Sequence, residues 1–177
     1  MTLGKTIALV AALAVAGVLV AAATRPDSFR VQRTATVQAP PDKLHAMIGD
    51  LHQFNTWNPF NKKDPNIRGS YRGPAAGPGA GYDFTGNGEV GKGSLEITGA
   101  TPQKITMQLH MIEPMEGRNT VEFSLVPRGA ATEVTWAMHG PSPFVSKLLG
   151  LVFDMDSMIG GAFEAGLADL KQRAERG

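Results

Sequence analysis

Residues Thr85 to Ser94 read TGNGEVGKGS, a spacing that could hold a nucleotide phosphate. Gly86, Gly88 and Gly91 satisfy G-x-G-x-x-G, and Gly86 to Lys92 reads G-x-x-x-x-G-K. Gly93 stands where a complete phosphate loop has its magnesium-binding Ser or Thr. Such a loop works between a strand and a helix, whose free N-terminal N–H groups meet the phosphates. Here Tyr82 and Phe84 alternate before the loop, and Leu95 and Ile97 alternate after it, so both flanks read as strands. Asn87-Gly88 is a favoured dipeptide for a tight hairpin turn, whose two central residues take positive φ. The sequence therefore predicts a hairpin here and no nucleotide site.

Few other residues suggest chemistry. His45, His52, His110 and His139 form no HExxH pair, and no Asp, Glu and His cluster has local ligand spacing, so no metal is expected. His110 falls on the polar face of its strand pattern and reads as solvent-facing. The chain has no G-x-S-x-G, which argues against a hydrolase-type serine nucleophile. It also has no cysteine, which excludes disulfides, thiolate chemistry and lipidation at cysteine. Asp154 and Asp156 interrupt an apolar run and could act as acid and base. Two residues apart on a helix, they diverge by about 200°, so they form no dyad, and one or both are expected on the outer face.

The elements that would position these residues begin with an apolar segment. Thr6 to Ala23 is almost wholly Ala, Val, Leu and Ile, about 27 Å long as a helix and close to the thickness of a bilayer core. Lys5 precedes it, and Arg25 and Pro26 end it. The preferred reading is an uncleaved single-span anchor that exports the following domain. The alternative is a secretory signal, with Ala21 and Ala23 as small residues before a cut at Thr24. Residues 1–27 are accordingly read as anchor or signal and residues 28–177 as one domain. Both readings place the protein in a bacterial-type cell envelope: at the inner membrane with the domain exported, or periplasmic or secreted after cleavage. Leaving Lys5 aside, 16 cationic side chains stand against 16 carboxylates, with no basic run, so nucleic acid is not an expected partner.

In the domain, Phe29, Val31, Ala35 and Val37 alternate as a first strand, and Leu44, Met47, Ile48 and Leu51 share one face of a short helix. About six strands follow, separated by Gly, Pro and Asn. In the clearest, Ile105, Met107, Leu109 and Met111 face one way. The short connections predict an antiparallel meander. From Pro143 the period becomes helical, with Leu148, Val152, Met155, Ile159, Phe163, Gly166 and Leu170 at steps of three or four. One long helix is expected there, covering the apolar face of the sheet.

This layout resembles the START-like, helix-grip superfamily (SRPBCC), in its polyketide cyclase/dehydrase and lipid-transport branch. The resemblance rests on WNPF at Trp57 to Phe60, on SYRGPAAGPGAGYDFTGNGEVGKGSLEI, and on FDMDSMIGGAFEAGLADLK, and it covers about Phe29 to Glu175. Two departures are visible. Similar members have W-x-P-W where Phe60 stands, and a Lys after the helix glycine, here Gly161. The resemblance implies an α+β fold, a curved antiparallel sheet wrapped around a long C-terminal helix, enclosing an apolar cavity. It carries no shared catalytic or metal-binding set. Gly91 and Gly93, two apart on one strand face, fit the sharp bend such a sheet needs.

With that cavity implied, the inward positions supply its expected walls: Tyr71, Tyr82 and Phe84, then Met107, Leu109 and Met111, then Phe123, Trp136 and Met138, and on the helix Val152, Met155 and Ile159. Trp136 reads as core before it reads as wall. Trp57 and Phe60 would form a lid at the mouth. The methionines suit a pliable pocket or a loosely packed core, and the resemblance favours the pocket. The expected function is binding of a hydrophobic small molecule or lipid, without a cofactor. The alternative is a polyketide cyclase/aromatase- or dehydratase-like enzyme using the same cavity. The inward positions favour binding, because Tyr71, Tyr82 and Arg33 are the only polar-tipped exceptions among them. A third reading is a filled core with no ligand. Calorimetric titration with ATP, GTP and NAD, with and without magnesium, should give no heat beyond dilution; micromolar binding lost in Lys92→Ala would contradict the hairpin reading.

Overall fold

The computed structural model describes residues 3–176. Helix α1 (Leu3–Ala23) is long and apolar enough to cross a membrane, with a mean hydropathy of 2.6. It projects from the domain almost bare, and only Ala22 is buried. After Thr24 to Asp27 comes β1 (Ser28–Val37), then three short helices, α2 (Pro41–Gly49), α3 (Leu51–Trp57) and α4 (Pro59–Lys62). Six strands follow: β2 (Arg68–Arg72), β3 (Gly81–Thr85), β4 (Lys92–Thr101), β5 (Lys104–Glu113), β6 (Gly117–Arg128) and β7 (Ala131–Pro141). The chain closes with α5 (Phe144–Leu149) and α6 (Met155–Arg176).

The seven strands form one antiparallel sheet in the order β1-β7-β6-β5-β4-β3-β2. Its concave face is apolar and α6 lies against it, mainly along β1. This is the α+β helix-grip architecture with an apolar helix in front. The expected single helix after α1 and β1 is three helices instead. Asp50 is extended and its carboxylate accepts from the N–H groups of His52 and Gln53, which ends α2 and caps α3. Asn58 caps α4 in the same way, accepting from the Phe60 N–H, and Pro59 sits at the first helical position.

The hairpin between β3 and β4 is present, but the turn is not the two-residue kind. Neither Asn87 nor Gly88 has positive φ. The Asn87 side chain accepts from the N–H groups of Glu89 and Val90, and its carbonyl accepts from Gly91 N–H at 2.7 Å. This six-residue loop is closed by Gly91 at φ +74°, a conformation with no room for a Cβ, which would lie 2.1 Å from the Glu113 carbonyl oxygen. Immediately afterwards the register slips: Lys92 pairs with Glu113, but Gly93 pairs with Met111. The expected bend at Gly91 and Gly93 is therefore a bulge, with a second register slip between Ile97 and Gly99.

The long C-terminal helix also differs from expectation. It is interrupted, and Gly150 to Asp154 link α5 to α6. Asp154 caps α6, accepting from the N–H and hydroxyl of Ser157, and the hydroxyl bond lowers its pKa. Asp156 does face the rim, as half of an ion pair with Arg33. Along α6, Gly166 lets Trp136 and Pro59 approach to where a Cβ would lie 2.6 and 2.9 Å away, whereas a Cβ at Gly161 would meet nothing within 4 Å. Alanine at Gly161 should therefore add about 1 kcal/mol of stability through helix propensity. At Gly166 the same change should lose about 1–3 kcal/mol from overpacking, which outweighs that gain. Denaturant melts of the two variants test this; equal shifts would refute the close seat of α6.

Candidate ligand-binding site

Between sheet and α6, burial is complete at one end and falls off towards the other. The fully buried end is an aromatic cluster. Trp136 stacks on Phe163 with centroids 4.3 Å apart, and Trp57 meets Trp136 edge-on at 5.8 Å. Phe54 and Phe123 pack around this pair. The Trp136 indole N–H is buried there without an acceptor. Trp57 is fully buried, so it is a core residue and not the lid that its place before a turn suggested. The reason is local: Leu51, Phe54 and Trp57 share the inward face of α3, and the Trp57 Nε1 donates to the Met47 carbonyl at 3.1 Å. Its polar atom therefore costs nothing to bury. Phe60, one turn on, is half-buried, with the Lys63 ammonium 5.5 Å from its ring centroid.

Towards the other end burial fades. Along β5, Ile105 and Met107 are buried, while Leu109 and Met111 are half-buried. Along α6, Leu170, Leu167 and Phe163 are buried, Ile159 is half-buried and Met155 is exposed. Phe84 is half-buried on β3, and Phe29 is half-buried at the start of β1. These half-buried residues lie towards the end where α6 begins, and α6 itself packs along β1 and β7. Tyr82, Phe123, Trp136 and Met138 lie deeper and are buried.

Besides Met155, two of the expected wall residues are exposed. Val152 is 80% exposed on the link between α5 and α6, because the helical period on which it was placed is broken there. Tyr71 sits on the edge strand β2, 42% exposed, stacked on His52 at 3.7 Å. Its hydroxyl accepts from Asn55 at 3.1 Å. Tyr82 packs beside it, and burial raises the Tyr82 phenol above its ordinary pKa, so it stays protonated at neutral pH.

The strongest polar feature between β1 and α6 is Arg33. It faces inward from β1 and pairs with Asp156 at 2.9 Å and Glu164 at 2.7 Å, both on α6. The hydrogen bonds to these carboxylates raise its pKa further, so it is always charged. Its guanidinium fills the notch left by Gly160, where a Cβ would lie 2.0 Å from it. The inward placement of Arg33 follows from strand alternation, but its partners do not. The available signal was the stripe Asp156, Gly160 and Glu164, at steps of four on one helix face. Among the described residues, no group of His, Cys, Asp or Glu could hold a metal ion.

Residues 28–175 match the family described as polyketide cyclase / dehydrase and lipid transport. The chain belongs to this family. None of the curated proteins matches the sequence. Among solved structures, the chain is similar to ginseng major latex-like protein 151 from Panax ginseng, with a TM-score of 0.60 at 13% identity over 84% of this chain and 99% of that one. It is also similar to Aha1 from Colwellia psychrerythraea, with a TM-score of 0.59 at 17% identity over 83% and 96% of the two chains. A third is DynU16 of the dynemicin biosynthetic locus, with a TM-score of 0.59 at 14% identity over 85% of this chain but 48% of that one. At these identities the likeness is one of fold.

As a core residue, Trp57 should cost about 3–5 kcal/mol when replaced by alanine, whereas Phe60→Ala, at the surface, should cost well under half of that. Urea melts distinguish the two. A Trp57→Ala variant with unchanged stability would restore the lid.

Proposed function

We propose that the chain holds an apolar small molecule or lipid on the open part of its concave face, between β3 to β5 and the first turns of α6. The gradient of burial carries this reading. A fully packed core would bury Leu109, Met111 and Ile159 as completely as Met107 and Phe163, yet the first three remain half-open beside an aromatic floor. Apolar side chains rimming a concavity are the ordinary lining of a small-molecule site, and the family's description includes lipid transport. Leu109, Met111, Phe84 and Ile159 would be its walls, with Tyr82 and Met138 behind them. Met155 and Phe60 stand further out, and Trp57, Met107, Phe123 and Trp136 form the floor.

We further propose that α1 remains attached and anchors the domain in a membrane of the cell envelope, on its length and hydropathy. A cleaved signal is the competing reading of the same helix. An enzyme of the cyclase or dehydratase type is supported less well. Its acid or base would have to line the same space, where the inward-facing Arg33 is held by two carboxylates.

Native mass spectrometry of the full chain released from detergent should show an apolar molecule retained at a discrete added mass. Leu109→Phe and Ile159→Phe should lose it while keeping stability to within about 1 kcal/mol, because they fill open space. A parent chain that carries no adduct, with both variants losing well over 1 kcal/mol, would mean a filled core and no ligand.

A further inference from the structure

The sheet has two ends, and its register assigns them. The start of β1, the end of β7, the start of β6, the end of β5 and the start of β4 all lie at one end, since Ser28 pairs with Pro141, Met111 with Gly117 and Lys92 with Glu113. Helix α1 leaves the domain at this end and packs against α5. The mouth of the proposed site lies here as well, since α6 begins at this end and runs along β1 towards the other, where Glu175 meets the backbone of Gln38.

Apart from Tyr71 and Val126, the large exposed hydrophobic side chains outside α1 gather at the same end. On α5, Phe144, Val145 and Leu149 are 45%, 56% and 43% exposed. On the link to α6 and its first turn, Val152, Phe153 and Met158 reach 80%, 52% and 62%. The hairpin between β5 and β6 adds Ile112 and Met115. Isolated exposed hydrophobics are ordinary, but a cluster from three separate elements on one end is the mark of a contact surface. Its position beside the last turn of α1 selects the occupant. A helix that spans a bilayer brings its last turn to the interface, so whatever packs on that turn also lies at the interface.

We infer that this end of the domain is a membrane-contact surface. Resting on the reading of α1 as an anchor, it dips α5, the link and the β5–β6 hairpin tip into the boundary of the bilayer that α1 crosses, with the mouth turned towards the lipid. Interfacial elements of this kind bury an apolar face to a depth of about 5–10 Å. Charge does not drive the contact. Arg25, Arg30, Lys92, Arg118 and Lys147 at this end are offset by Asp27, Glu89, Glu113, Glu116 and Asp154, so zwitterionic lipid should suffice.

The absence of cysteine makes the test direct, since any introduced cysteine labels alone. The full chain is reconstituted in phosphatidylcholine vesicles with an environment-sensitive fluorophore at Val152→Cys, Met158→Cys or Met115→Cys. Leu13→Cys on α1 reports the anchor, and Gln103→Cys on the β4–β5 hairpin reports the far end. Nitroxides on the lipid acyl chains should quench the three surface labels and Leu13, leave Gln103 unquenched, and do so equally at low and high salt. Quenching at Leu13 with none at 152, 158 and 115 overturns the inference and leaves the anchor standing. No quenching at any site overturns both. Neither result alters the ligand reading, which the retained mass decides separately.

Discussion

The architecture depends on how closely α6 can approach β1 and β7. Two positions on α6 have no side chain where the sheet comes nearest. Gly166 admits the ring of Trp136, and Gly160 admits the guanidinium of Arg33. With both in place the helix lies low over one side of the sheet, held by the Trp136–Phe163 stack in its middle and by the Arg33 pairs near its start. On the other side Tyr82, Leu95, Ile97 and Met107 are still buried, so the partial exposure of Phe84, Leu109 and Met111 is confined to the strand ends nearest the start of α6.

Curvature adds to this. The slips on either side of Gly93 to Ile97 bend β4 at both ends, which carries β3 and β2 round towards the helix side. Gly93 lets the ring of Phe84 lie against β4, where a Cβ would be 2.9 Å away. The helices α2 to α4 close the far end, and they can do so within about twenty residues because Asp50 and Asn58 restart the helix each time the direction changes. The seat of α6, the bend of β4 and the closed far end follow from a few special residues: two helix glycines, the glycines on either side of Lys92 and two polar caps.

Much of this was legible in the sequence. Strict alternation makes β5 plain, Phe29 to Val37 reads as β1, and the glycines around Lys92 indicate a bend. What escaped reading has physical reasons. Periodicity counts apolar residues at steps of three and four, and Val152 and Met155 keep that step across a break that only the capping by Asp154 reveals. Asn87-Gly88 satisfies a two-residue turn, but the Asn87 side chain binds two backbone N–H groups and stabilises a longer loop instead. Trp57 precedes a Pro-containing turn, a surface signal, yet its own helix faces the sheet and gives its indole a carbonyl. Arg33 could be placed inward but not paired, because its partners lie more than a hundred residues away.

Four residues, Thr24 to Asp27, separate α1 from β1. Fully extended they would reach about 14 Å. They are not free to extend: Thr24 and Arg25 continue bonding to α1, and Asp27 is held by Lys147 at 2.5 Å. With α1 in a bilayer, a domain on so short a tether cannot travel to a second membrane. Cargo it lifted from its own leaflet would either return there or pass to a diffusing acceptor that comes to it. In any transfer route the chain would then serve as a stationary hand-over point, and the rate of onward movement would belong to the acceptor.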